Sequence, residues 1–227
     1  NETTSGLIND LVSVSEVVKN HNLRFIVDAM SSFGAVDVNV AELGIDFLIS
    51  SANKCIQGVP GFSFIIARRE ALTATEGNAR TISLDLHSQW KTMEKDNGKW
   101  RFTSPTHVVA AFAQALKELQ QEGGVTVRGE RYAATNRKLR EGMRTLGFEP
   151  FVSEAFQGPI ITTFLYPEGR NLDFKHMHHW LKEQGYVIYP GKLTDRDTFR
   201  IGNIGEIYDA DADRILELFA QYTKEFM

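Results

Sequence analysis

Ser50-Ser51-Ala52-Asn53-Lys54-Cys55-Ile56-Gln57-Gly58-Val59-Pro60-Gly61 is the stretch whose setting decides the fold. It follows the short apolar run Phe47-Leu48-Ile49 and leads into a second run, Phe62-Ser63-Phe64-Ile65-Ile66-Ala67; both have the character of buried strands. An earlier run, residues 23–27, is broken only by Arg24 and ends at Asp28. Between this run and Phe47-Leu48-Ile49 lie Val38, Val40, Ala41 and Leu43 before Gly44, a pattern that predicts a short helix with a glycine stop. The unit therefore reads strand, helix, strand, and its strands are expected to pair in parallel. Open α/β sheets bind ligands outside the carboxyl ends of such strands, so Asp28 and Lys54 are expected at one sheet edge, facing one crevice.

A lysine and a carboxylate in that position are chemically suggestive. A partly desolvated lysine amine loses its proton near neutral pH and can form a Schiff base with a carbonyl. A carboxylate opposite a pyridine nitrogen keeps that nitrogen protonated and strengthens an electron sink. Taken singly, Lys54 also fits an exposed loop lysine and Asp28 the cap of the following turn.

Working outward, Leu7, Ile8, Leu11, Val12, Val14, Val17 and Val18 recur at helical spacing, and residues 68–99 read as irregular and polar. Long helices are expected over residues 106–121 and 125–146, separated by Gly123-Gly124. Beyond Gly147, short strands (148–152, 160–166, 186–189, 198–201) alternate with helices (171–183, 211–225), an α+β pattern. The expected division is residues 1–123 and residues 124–227.

Composition narrows the function classes. With 42% hydrophobic and 24% charged residues among 227, the chain is globular rather than disordered or fibrous. A net charge of −4 gives no general basic field for nucleic acid or an anionic membrane, and no apolar stretch approaches the roughly 20 residues of a membrane span. One cysteine rules out an intramolecular disulfide framework and fits a cytoplasmic setting. No metal site is expected: His176 and His179 offer at most two ligands on one helix face and read, with His178, as a solvated surface. Cys55 reads as a small packing residue, and Lys117, Glu118 and Glu122 as a wet helix face.

Five stretches, in order, carry a family resemblance: Glu2-Thr3-Thr4-Ser5-Gly6, Val27-Asp28-Ala29-Met30-Ser31-Ser32-Phe33-Gly34, the Lys54 stretch through Phe62, Arg101-Phe102-Thr103-Ser104-Pro105-Thr106-His107, and Phe199-Arg200-Ile201-Gly202-Asn203-Ile204-Gly205. Together they resemble the class V aminotransferases of pyridoxal phosphate (PLP) fold type I. The resemblance implies a three-layer α/β large domain, incomplete at its N-terminal side and ending near residue 123, followed by a small α+β domain. It implies PLP as cofactor and a homodimer with shared sites. Lys54 would carry the cofactor as a Schiff base and shuttle the proton at the substrate Cα; Asp28 would meet the pyridine nitrogen. Thr3 would touch the ring substituents, Thr103 would reach the cofactor phosphate of the partner subunit, and Arg200 would hold the acidic group of the substrate. Without that context, Thr3 and Thr103 also fit turn or cap residues, and Arg200 a surface ion pair. The branch most resembled implies transfer from 2-aminoethylphosphonate to pyruvate, giving phosphonoacetaldehyde and L-alanine. The alternatives are a relative acting on carboxylate substrates, such as alanine:glyoxylate or serine:pyruvate transfer, or a catalytically silent fragment. The family's phosphate-binding loop and ring-stacking aromatic lie upstream of the Glu2-Thr3 motif, and this sequence contains neither.

Overall fold

The computed structural model describes residues 1–227. Strand β1 (Ile26–Asp28) pairs in parallel with β2 (Phe47–Ser51), and β2 pairs antiparallel with β3 (Ser63–Ala67). The parallel pairing is the one expected, but its connection is not a helix. Residues 38–45 form a single turn, closed by Leu43 N–H donating to Asn39 O and Ile45 N–H donating to Val40 O. Two β-branched valines, an Asn39 side chain that accepts from Glu42 N–H at 3.2 Å, and Gly44 at φ +65° all favour the turn over a continuing helix.

Helix α1 (Leu11–Asn20) starts later than its apolar pattern, because Asp10 caps it by accepting from Val12 and Ser13 N–H. After β3 come α2 (Arg69–Thr73) and α3 (Leu86–Lys95). The stretch expected to be irregular thus contains a ten-residue helix, started by the Asp85 side chain accepting from Ser88 N–H. Helices α4 (Thr106–Glu122) and α5 (Gly124–Thr145) follow. Strand β4 (Ile161–Leu165), helix α6 (Phe174–Glu183), strands β5 (Tyr189–Pro190) and β6 (Thr198–Gly202), and helix α7 (Asp209–Phe226) complete the chain. No strand forms over 148–152. Pro150 makes only an isolated bridge to Phe164, since a residue without N–H cannot extend a ladder. No helix is long and apolar enough to cross a membrane.

The chain forms two compact units: residues 10–30 with 38–118, and residues 1–9 with 31–37 and 119–227. The first holds the β1-β2-β3 sheet, with Leu48, Ala52, Cys55 and Ile56 buried. Phe112 packs edge-on to Phe62 and tilted against Phe64, which seats α4 against β3. The second holds an antiparallel sheet in the order β4-β6-β5, in which Arg200 lies opposite Thr163 on one side and Tyr189 on the other. Its core gathers Phe148, Phe164, Phe199 and Phe219 with Met177, Leu181 and Leu218.

Gly129 on α5 lies so close to residue 35 that a Cβ there would come within 2.1 Å of the Ala35 carbonyl oxygen. Gly129→Ala is expected to destabilise the second unit by about 1–3 kcal/mol, the usual effect of overpacking against backbone. A fall in its urea midpoint checks this.

Candidate active site

Asp28 ends β1 directly opposite Ile49, five residues before Lys54 in the neighbouring strand and its loop. The ladder continues past Asp28 through Ala29 N–H donating to Ile49 O at 2.9 Å, and Ser50 Oγ donates to Ala29 O at 3.3 Å. One Asp28 oxygen, Oδ1, accepts from Met30 N–H at 2.8 Å; Oδ2 accepts no hydrogen bond from the chain. The carboxylate thus both caps its turn and keeps an oxygen for a ligand.

The loop after β2 is drawn tight by Gly58 N–H donating to Ala52 O and Gln57 N–H to Lys54 O, both at 2.8 Å. Gly58 is required for this closure, since a Cβ there would sit 2.7 Å from the Ala52 oxygen. Cys55 and Ile56 turn inward and are buried, while Lys54 is exposed beside them. Asp28 at the end of β1 and Lys54 in the loop after β2 are both exposed, on the side where the two parallel strands end. Thr103 belongs to the same unit, is exposed, and lies just before α4.

Thr3 and Arg200 belong to the other unit and meet there. Arg200 is 7% exposed. Its Nη1 donates to Thr3 O at 2.9 Å and its Nε to Pro190 O at 3.1 Å, and the guanidinium lies over the Tyr189 ring. No carboxylate of the chain pairs with it, so it is not the surface ion pair that its residue type also allowed. It is a buried cation held by carbonyl dipoles, a setting that favours an incoming anion.

Glu2 holds the Thr3 loop. Its carboxylate accepts from Thr4 N–H, Ser5 N–H and Ser5 Oγ. Burial pushes the carboxyl up, but these hydrogen bonds outweigh it and hold the pKa at about 2, against an ordinary 4.5. A depressed carboxyl pKa contributes stability that is present above 4.5 and is lost as pH falls towards 2. Glu2→Gln is therefore expected to flatten the acid limb of the stability curve in that window, read from urea midpoints as a function of pH.

Sequence reasoning also missed the support behind β6. Glu122, read as a wet helix face, bridges Arg128, which is 1% exposed, and Arg131. Burial pushes its carboxyl up, and the two guanidiniums outweigh this and hold it low. Arg131 Nη1 then donates to Gly205 O at 2.8 Å, tying down the turn after Arg200's strand. The available signal was the Arg128/Arg131 pair, one helical turn apart on the helix that follows Glu122.

Residues 1–195 match the family model described as "Aminotransferase class-V". The chain belongs to the class-V aminotransferase family. Among curated relatives, the 2-aminoethylphosphonate–pyruvate transaminase of Bacteroides fragilis (strain YCH46) is 59% identical over 217 residues, covering 96% of the chain and 60% of the relative. The protein of the same name from Klebsiella pneumoniae is 55% identical and covers 99% and 62%. The chain thus spans about 60% of the length of the curated relatives it matches. Two solved structures share its fold. The subgroup IV aspartate aminotransferase of Thermus thermophilus has a TM-score of 0.85 at 22% identity, covering 99% of the chain and 62% of that protein. The ureidoglycine–glyoxylate aminotransferase of Bacillus subtilis has 0.84 at 23%, covering 99% and 59%. The expected fold, PLP fold type I with its α/β and α+β parts, is the fold of this chain.

Proposed function

We propose that the protein to which this chain belongs is a PLP-dependent transaminase that moves the amino group of 2-aminoethylphosphonate to pyruvate, forming phosphonoacetaldehyde and L-alanine in phosphonate breakdown. The observation that supports the reaction class is the parallel β1–β2 register, in which Asp28 lies opposite Ile49, five residues before Lys54. The substrate is supported by the relatives' names.

The residues present fit the cofactor's chemistry. They offer one exposed primary amine for its aldehyde and one carboxylate with an unengaged oxygen for its ring nitrogen. When bound, PLP supplies the electron sink that makes the substrate Cα–H acidic. The Lys54 amine takes the Cα proton and returns it on the other side of the transfer, as a general base and then acid. Asp28 orients and holds the ring by its nitrogen; Thr3 and Thr103 position the ring and the phosphate. Arg200 takes the acidic group of the donor, and then of pyruvate, through a planar, permanently charged fork. Residues 1–123 are assigned to the cofactor-binding large domain and residues 124–227 to the small domain, although residues 1–9 and 31–37 pack with 119–227 in one compact unit; the protein is a cytoplasmic homodimer whose subunits share sites through Thr103.

A coupled assay offering 2-aminoethylphosphonate, alanine and serine separately, with pyruvate or glyoxylate as acceptor, tests the assignment. The expected result is turnover with 2-aminoethylphosphonate and pyruvate. Preference for a carboxylate donor overturns the substrate, and no turnover with any pair overturns the reaction class.

A further inference from the structure

Arg200 is not oriented by an acidic side chain, so something else must fix the plane of its guanidinium. The two hydrogen bonds to Thr3 O and Pro190 O use Nη1 and Nε, and Tyr189 covers one face. What remains for a ligand is the edge that carries Nη2. Pro190 is held by the β5–β6 ladder, in which it lies opposite Phe199. Thr3 is in no strand, and its carbonyl is only as fixed as the loop around it.

That loop is organised by one carboxylate. Glu2 accepts from the N–H groups of Thr4 and Ser5 and from Ser5 Oγ, so its side chain folds back over the turn that exposes Thr3 O. The turn is closed by Gly6 N–H donating to Glu2 O at 2.9 Å and anchored by Thr163 Oγ1 donating to Thr4 O at 2.9 Å. Thr163 lies opposite Arg200 in the β4–β6 ladder, so the loop is seated on the strand pair that carries the arginine. Gly6, at φ +93°, allows the close fit, since a Cβ there would meet Ile161 O at 2.6 Å.

We infer that Glu2 is a positioning residue for substrate binding: through the Thr3 carbonyl it fixes the Arg200 fork that receives the substrate's acidic group. This rests on the assignment of Arg200 given above. Glu2 itself touches no substrate and takes no proton in the reaction. Glutamine cannot replace it, because its amide NH2 would face one of the two N–H donors that the carboxylate accepts.

The test compares Glu2→Gln, Ser5→Ala, Arg200→Lys and the double variant Glu2→Gln/Arg200→Lys in the native holoenzyme. The readouts are kcat, the KM of the amino donor, and equilibrium binding of methylphosphonate, which lacks the amine and cannot react. Glu2→Gln is expected to raise KM and weaken methylphosphonate binding about tenfold with kcat within about twofold of wild type, the size of one or two hydrogen bonds. Ser5→Ala should give about a threefold effect of the same kind, and it decides the matter if Glu2→Gln does not fold. Arg200→Lys should weaken both quantities, and the double variant should be no worse than Arg200→Lys alone, because the two residues act as one unit. Wild-type KM and binding in Glu2→Gln beside weakened values in Arg200→Lys overturn the inference alone. So do additive effects in the double variant, or a loss in Glu2→Gln that falls on kcat. Unchanged KM and binding in Arg200→Lys overturn the assignment of Arg200 and the inference with it.

Discussion

Replacing Lys54 by alanine is expected to lower kcat of the proposed transamination by about 10⁴-fold or more, since the same amine would serve as nucleophile and as proton carrier. Folding should be untouched. Lys54 is exposed, and its loop is held by the backbone bonds of Gln57 and Gly58 and by the buried Cys55 and Ile56. Two measurements separate this from a general defect. Borohydride treatment of the cofactor-loaded protein should add mass to the peptide containing Lys54 in wild type and leave the variant unlabelled. A small primary amine added to the variant should restore part of the proton transfer, because it replaces the missing base. A Lys54→Ala protein that still transaminates at the wild-type rate would end the assignment.

The largest effect on stability is expected at Phe199. Its ring is fully buried and stacked on Phe164 and on Phe219, with Phe148 edge-on. Phe199→Ala should cost about 3–5 kcal/mol, the lost transfer energy plus the cavity left among rings that cannot all close on it. Phe199→Leu keeps most of the volume and should cost clearly less. Urea denaturation of the two variants checks the ranking; equal losses would mean that the aromatic contacts around Phe199 are not the core they form in the structure.

The half of the candidate site that was legible in the sequence is the half built from local rules. Asp28 closes one apolar run and Lys54 lies five residues past the end of another, and the parallel pairing of the two runs sets their ends at one edge. The family motifs then pointed to Thr3, Thr103 and Arg200, but the state of Arg200 could not be read. Its partner, the Thr3 carbonyl, lies 197 positions away in sequence and is a backbone atom, which has no residue signature. The hold of Glu122 on Arg128 and Arg131 was hidden for a related reason. A charge run at a helix end looks the same whether it faces water or two guanidiniums. In the fold, the turn over residues 38–45 was mistaken for a helix because four apolar residues at short spacing carry no length information. Helix α3 was missed because its residues are mostly polar and its start depends on the single cap at Asp85.

The placement of Phe199 beside Arg200 has a consequence for how this family can vary. Successive residues of β6 serve different masters, one the aromatic core and the next the Thr3 loop, and the cross-strand rows Thr163–Arg200–Tyr189 and Phe164–Phe199–Pro190 lock both. Adding or removing one residue inside the strand would exchange the two roles, putting a guanidinium among phenyl rings. Gly191 and Asp197 are still tied in, by Gly191 N–H donating to Thr198 O and Tyr166 N–H donating to Asp197 O, but the mostly exposed residues 192–196 between them carry no such lock. Length changes should therefore accumulate in that hairpin, where new side chains can be offered to ligands while the strand's reading frame stays fixed.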